Sequence, residues 1–506
     1  MKKEQIRQNN IFLFICNLFI CVSTMGTFVV TEHFATDSYY AYYNLNKDLG
    51  LMDINANMRV VMGCIQIVFA YLGINYVKCQ VIFGIVLIGV FAWVITRITI
   101  EFIDILDLQQ ETRKIILING ATLVLMLNAF LSEFLYFVGY IQWAIGILGA
   151  VYGALYIGKE RKNLFSWVLG ILSIAIAIGT YQIFVAYYVY IVMVIIFIRN
   201  KGLLTRKSIL KVIEAAAAAI LALILNLVCR DFLIKMNSLE KSGRMNLELS
   251  SMPGLILKII QDQKLIWIDG MGIYPKYMLG IVLIVLLGVG CILIRKRRIG
   301  FKSVIFLFVV LISGQCIVYM AQIAQGFVWL APRTIYPVFG IYSVAIWGIV
   351  FYMKDDEEKR LSQLVNISIL GLLIVSNVEV NIVAVDTART NTITKCYSQE
   401  ISKRINHYEI QNGVEVTKVG FCNDAYVNYR YYGDITESSW GGNICENPFV
   451  RTWSDITSLN YYTERNFMRV EVPEDVIEKY KMLNWDEADW DEQLTFDNDA
   501  VYICVY

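Results

Sequence analysis

Residues 11–30 read IFLFICNLFICVSTMGTFVV, a run without a single charged side chain. A helix of that length rises about 30 Å, which matches the hydrocarbon core of a bilayer. The run is longer than the core of a signal peptide and no small-residue cleavage site follows it, so it reads as an uncleaved first span. MKKEQIRQNN stands before it, and Lys2 and Lys3 set that end on the cytoplasmic side. Working outward, the remaining chain belongs to the same solvent. Of its 506 residues 57% are hydrophobic, mean hydropathy is +0.55, and only 17% are charged. These values lie far from those of soluble domains.

The net charge of +1 conceals two regions. Residues 388–506 hold 20 acidic and 11 basic side chains, so the apolar part is net basic. Its basic residues gather between apolar runs, where they meet lipid headgroups, and form no nucleic-acid-binding patch. Fixing five such clusters inside, at Lys2 and Lys3, Lys159 to Lys162, Arg199 to Lys207, RKRR at 295–298 and KDDEEKR at 354–360, sets the direction of most spans. Spans are then expected at 11–30, 80–101, 115–137, 142–158, 164–181, 183–198, 209–229, 277–294, 302–320, 335–353 and 363–384. Counting the apolar segment 58–74 as a further span would put Arg113 and Lys114 outside. It is therefore laid on the outer surface, inside a first external loop covering 31–78.

The expected fold is thus membrane all-α, a bundle of about 11 transmembrane helices over 1–386. A small extracytoplasmic α/β domain follows over 387–506. Helical stretches at 392–408 and 473–482 alternate there with the β-rich runs VEVTKVGFC, MRVEV and AVYICVY. Seven of the eleven cysteines lie in or beside apolar segments as small hydrophobes. Cys396, Cys422, Cys445 and Cys504 lie in the tail, where an oxidising compartment would permit two disulfides in any of three pairings.

Chemistry is expected at the outer ends of the spans. TEHFATDSYY places Glu32, His33 and Asp37 just beyond the first span, with Asp48, Asp53 and Arg59 following. A carboxylate there can take the proton of an acceptor hydroxyl that is too weak an acid to ionise alone. The plain alternative is a set of solvated loop acids. Glu133, in LNAFLSEFLYF, is uncommon for its depth, because a carboxylate at mid-bilayer costs about 2.5 to 3.5 kcal/mol on insertion scales. Tyr181 and Gln182 occupy a turn on the same side, and Arg333 in VWLAPRTIYP could grip a lipid phosphate through its planar fork, as could Arg59. Arg230 and Lys235 give a less specific hint of the same kind. The sequence has no glycine-rich phosphate loop, no HExxH and no Cys or His pair at metal spacing, which excludes cytosolic nucleotide chemistry.

Taken in order, FATDSYY, NMRVVMG, NAFLSEFLYF, the TYQ turn and APRTIYP resemble landmarks of the bacterial polytopic membrane glucosyltransferases of the GT-C superfamily, which add side-chain sugars to O-antigens and other surface glycans. The resemblance runs to about residue 350. It implies a GT-C-like bundle in the bacterial cytoplasmic membrane and a hexosyltransferase whose donor is a polyprenyl-phosphate sugar, first of all undecaprenyl-phosphate glucose. The acceptor is a surface or lipid-linked glycan. Asp37 is then the catalytic base, Arg59 and Arg333 receive the departing phosphate, and Glu133, Tyr181 and Gln182 line the acceptor or sugar site. Two adjacent acids are usual in such loops, whereas Thr36 precedes Asp37 here, which leaves Glu32 or Asp53 as the second carboxylate. No cofactor is expected, and a divalent ion is not predicted. The rival readings are a lipid-linked oligosaccharide flippase, a surface-glycan polymerase or ligase using the 230–275 loop, and a membrane anchor.

Overall fold

The computed structural model describes residues 2–160, 163–242, 250–354, 358–423, 444, 446–482 and 489–505. Arg161, Lys162, residues 355–357 of the KDDEEKR cluster, Cys445 and residues 243–249 of the 230–275 loop lie outside the described residues. The chain forms two compact units, one of Met1–Val29, Asn46–Leu135 and Gly139–Asn381, the other of Val30–Leu45, Tyr136–Val138 and Ile382–Tyr506.

The first unit is helical. Eight helices among the described residues are long and apolar enough to cross a membrane: Asn10–Val30 within α1 (Lys2–Val30), α5 (Gln80–Leu106), α8 (Tyr140–Gly158), α11 (Arg206–Met236), α13 (Met278–Arg297), α14 (Phe301–Gln325), Pro332–Tyr352 and α17 (Lys359–Asn412). Within Pro332–Tyr352 a short α15 (Pro332–Ile335) precedes α16 (Gly340–Tyr352). Three further apolar helices are shorter: α4 (Val60–Leu72), α9 (Leu164–Thr180) and α10 (Phe184–Arg199). The chain is thus a multi-pass membrane protein.

The span expected at 115–137 is two helices, α6 (Thr112–Met126) and α7 (Leu131–Tyr136). Asn128 makes the break. Its Oδ1 accepts from Phe130 N at 3.2 Å, while its Nδ2 donates to Leu125 O and Tyr336 O, and the Tyr274 hydroxyl accepts Ala129 N at 2.8 Å. Backbone groups freed inside a buried region are thereby satisfied, as a membrane interior requires. The segment laid on the surface, 58–74, contains only the 13 residues of α4. At 1.5 Å per residue they rise about 20 Å, short of the hydrocarbon thickness.

Without a hydrophobic driving force between helices in lipid, close packing and interhelical hydrogen bonds hold the bundle. Gly149 and Gly153 bring α8 onto α9, where a Cβ on Gly149 would meet Ser173 O at 2.6 Å. The Tyr190 ring of α10 is sandwiched between Gly314 of α14 and Gly340 of α16, and an added Cβ at either glycine would fall inside the ring. Its hydroxyl accepts from Gln315 Nε2 at 2.8 Å. Asn17 of α1 and Asn119 of α6 exchange a reciprocal pair of amide hydrogen bonds of 3.1 and 2.8 Å, extended by Thr96 and Thr99 of α5. At one set of helix ends the basic clusters find partners. Glu358 meets Lys296 and Arg297 at 3.3 and 2.8 Å, and Arg199 bridges Glu101 at 2.9 Å and Gly158 O at 2.7 Å.

The second unit holds a four-stranded sheet in the order β2-β1-β4-β3, with β1 (Lys418–Asn423) parallel to both β2 (Met468–Arg469) and β4 (Ala500–Val505), and β3 (Leu494–Asp497) antiparallel to β4. Side chains alternate across it. Val419, Phe421, Val501 and Ile503 share a core with Ile401 and Ile405 of α17. Cys422, Tyr502 and Cys504 share the other with Val476 and Tyr480 of a helix at Glu474–Lys481. The β-rich runs of the sequence thus form the sheet. Cys396 is an exposed free thiol, and Cys422 stands in register with Cys504.

Candidate active site

In the first unit the site begins at the turn between α3 (Lys47–Asn55) and α4. Met58 takes a positive φ of 57°, and Arg59 N donates to Asp53 O at 3.0 Å. Asn57 Nδ2 donates to Asp53 Oδ1 at 2.7 Å, and Arg59 Nη1 lies 3.7 Å from that oxygen. Gln182 Nε2 donates to Asn57 O at 2.8 Å and Met58 O at 3.4 Å, so the TYQ turn between α9 and α10 fastens the turn that carries Arg59. The Arg59 guanidinium lies over the Tyr181 ring, 4.5 Å from its centre, a cation–π contact. Arg230 has a structural partner set. Its Nη2 donates to Asn55 O at 2.8 Å and also to Ser242 O, so it ties the end of α3 to the chain after α11.

Aromatic rings connect Tyr181 to a second arginine. Phe134 sits 5.5 Å from Tyr181, 5.0 Å from Trp143 and 5.2 Å from Tyr336. Its neighbour Glu133 has no exposed surface. Glu133 Oε2 accepts from Arg333 N at 2.7 Å, and its Oε1 is 3.2 Å from Arg333 Nη1. One carboxylate therefore orients both the backbone at the start of α15 and the guanidinium that follows. The other side of Arg333 lies against Trp329 at 5.1 Å. The Arg59 and Arg333 side chains are 23% and 21% exposed, so both arginines reach the surface of the unit.

In the second unit, Glu32 and Asp37 are exposed, and Asp37 lies in the first turn of α2 (Thr36–Asn44). Glu32 Oε1 accepts from the Tyr461 hydroxyl at 3.1 Å. Burial, then the nearby Glu32 charge, push the Tyr461 hydroxyl well above its usual range, and burial pushes Tyr462 up to about 12. Both stay protonated donors at neutral pH. Asp53, the other candidate for a second carboxylate, is buried and engaged by Asn57 and Arg59, which leaves Glu32 as the exposed acid beyond Asp37. Among the described residues no group of three or more His, Cys, Asp or Glu side chains is placed to hold a metal ion.

Sequence reading had singled out the charged members of these clusters. It missed Phe134, Trp143 and Trp329, which hold them, because aromatic residues are common in apolar helices. Tyr461 and Tyr462 had a faint signal, a tyrosine pair in the tail matching the YYAYY of the first loop.

The family model described as Glucosyl transferase GtrII matches residues 26–353, well over half of the chain. The chain belongs to the GtrII glucosyl transferase family. The GtrII match takes in Glu32, Asp37, Arg59, Glu133, Tyr181, Gln182 and Arg333 and stops before the tail. GtrII membership makes the protein a glycosyltransferase that acts on surface glycans, with a sugar donor and a glycan acceptor. No curated protein and no solved structure matches the chain.

Proposed function

We propose that this GtrII protein transfers a hexose, glucose first, from a polyprenyl-phosphate sugar to a surface glycan on the outer face of the bacterial cytoplasmic membrane. The observation that carries this reading is the pair of partly exposed arginines, Arg59 over Tyr181 and Arg333 against Glu133, linked through Phe134 in a membrane-embedded unit. A lipid-linked phosphate needs cations at the membrane boundary, and the planar fork of arginine suits its oxygens. The basic clusters 295–298 and around Arg199 pair with acids at other helix ends, which supports an outer site under the positive-inside rule; a cytoplasmic N-terminus and eleven crossings belong to the same reading.

In the reaction an acceptor hydroxyl attacks the anomeric carbon of the donor. Its proton goes to the Asp37 carboxylate as the new glycosidic bond forms. The bond from the anomeric carbon to the phosphate oxygen breaks, and its electron pair leaves with the phosphate. Arg59 and Arg333 stabilise that growing negative charge, an effect largest where water is excluded. Glu133 acts on the reaction through Arg333, whose head it orients, and Gln182 acts through the turn that bears Arg59.

The test is transfer from synthetic polyprenyl-phosphate glucose by the protein in nanodiscs. Asp37→Asn is expected to reduce transfer by about 100-fold or more while the protein stays inserted and folded. Arg333→Ala is expected to lose about 100-fold in kcat. Transfer by Asp37→Asn near the wild-type rate would remove this acid from the mechanism.

A further inference from the structure

The transfer chemistry above leaves unused a group of rings in the second unit. There α2 lies against the helix Asp455–Thr463, and the Tyr461 ring stands 4.5 Å from Phe34 and 5.0 Å from Tyr42. Asn391 fixes Phe34 from both sides, accepting from its N at 2.8 Å and donating to its O at 3.0 Å. The Tyr39 and Tyr462 hydroxyls meet at 2.8 Å. The sequence of α2 divides it into two faces. Tyr39 and Tyr42 turn toward the ring cluster, while Asp37, Tyr40 and Tyr43, spaced i, i+3 and i+6, stand exposed along one neighbouring stripe. Tyr40 is 37% and Tyr43 47% exposed.

We propose that this stripe, with Glu32 and Tyr461, is the subsite that receives a neutral hexose unit of the acceptor glycan. The inference rests on the transferase reading and deepens it. A hexose has an apolar C–H face and a rim of hydroxyls. Tyrosine offers the matching pair, a flat apolar body and a polar tip, at low entropic cost. Glu32 accepts hydroxyl hydrogen bonds, as the Tyr461 hydroxyl already shows at 3.1 Å. Charge selects among occupants. Glu32, Asp37 and Glu464 are exposed carboxylates in the same unit, and Glu464 acts electrostatically on Tyr43. They would repel a phosphorylated ligand or an anionic lipid leaflet and leave an uncharged polyol unaffected. Tyrosines at a membrane interface commonly form a lipid-facing belt, and the carboxylates among these rings argue against that role. A sugar seated on Tyr40 and Tyr43 presents a hydroxyl to Asp37 on the same helical stripe, where a base is required.

The experiment uses the full chain in phosphatidylcholine nanodiscs and the neutral oligosaccharide fraction prepared from the source cell's own envelope glycan. The double substitution Tyr40→Ala/Tyr43→Ala is expected to weaken oligosaccharide binding by about tenfold or more and to leave polyprenyl phosphate affinity within about twofold of wild type. Glu32→Gln, whose amide oxygen can still accept from the Tyr461 hydroxyl, is expected to weaken the oligosaccharide alone. Unchanged oligosaccharide affinity in both variants, or no oligosaccharide binding by a wild type that does bind polyprenyl phosphate, overturns the subsite. A wild type that binds neither ligand refutes the transferase reading instead.

Discussion

Glu133 shows at the scale of one residue how a membrane interior turns a costly group into a positioning device. A carboxylate with no exposed surface survives there because its two oxygens serve the backbone and guanidinium of Arg333. Glu133→Gln keeps the shape and removes the charge. The expected result is a fall in kcat of about 10- to 100-fold, about 1.4 to 2.7 kcal/mol of barrier, with the donor KM changed much less. Steady-state kinetics with a polyprenyl-phosphate sugar decide it, and an unchanged kcat would make the pair purely structural. Glu133 was legible in the sequence because acids are rare at its depth, and Arg333 because it opens an apolar segment after a proline. That the two are partners was not legible, since 200 residues separate them. Arg230 shows the converse, because a cation near a helix end looks the same in sequence whether it awaits a phosphate or binds carbonyls.

Helices and strands were legible to the degree that their apolar pattern was long. Among the described residues eight helices satisfy length and composition together, and the alternation in VEVTKVGFC and AVYICVY becomes the two faces of β1 and β4. The break at Asn128 escaped because hydropathy averages over a single amide whose role depends on Tyr274 and Tyr336 far along the chain. Packing at glycine is another element-scale property. Gly314→Ala is expected to destabilise the α10–α14–α16 contact by about 1–3 kcal/mol, because the new methyl would enter the Tyr190 ring. Thermal unfolding in detergent reads the loss, and adding Tyr190→Ala should relieve the clash. In the tail helix Asp455–Thr463, burial lifts the Asp455 carboxyl from 3.8 to about 6, against the opposing pull of Ile456 N and Arg469. The folded chain then binds this proton more tightly than the unfolded chain. Its contribution is complete below about pH 4 and is lost as pH rises through about 6. Asp455→Asn should flatten that limb in the opening free energies measured by hydrogen exchange at 455–463. A limb that persists in the variant would assign it to another group.

For the whole molecule, charge balance and hydropathy change together near the start of the tail, and the sequence shows that change plainly. Less legible was that 30–45 joins the tail as one compact unit, because nothing in a short loop announces the distant segment that folds with it. Orientation can be read from a native reporter. Cys396 is exposed on α17, and a maleimide that cannot cross membranes is expected to label it in intact spheroplasts. Labelling only after permeabilisation would put the tail in the cytoplasm and remove the outer-face chemistry. Ser38 and Ser458 are buried, so labels introduced at those positions would be unsuited to it. The reciprocal amides of Asn17 and Asn119 carry a consequence for biogenesis. During synthesis the first helix enters lipid with its amide unmatched; Thr96 emerges 79 residues later, and the reciprocal amide only after 102. Nascent chains that stop short of that point should therefore linger beside the insertion machinery, and the early bundle should become protease-resistant in one step once Asn119 arrives.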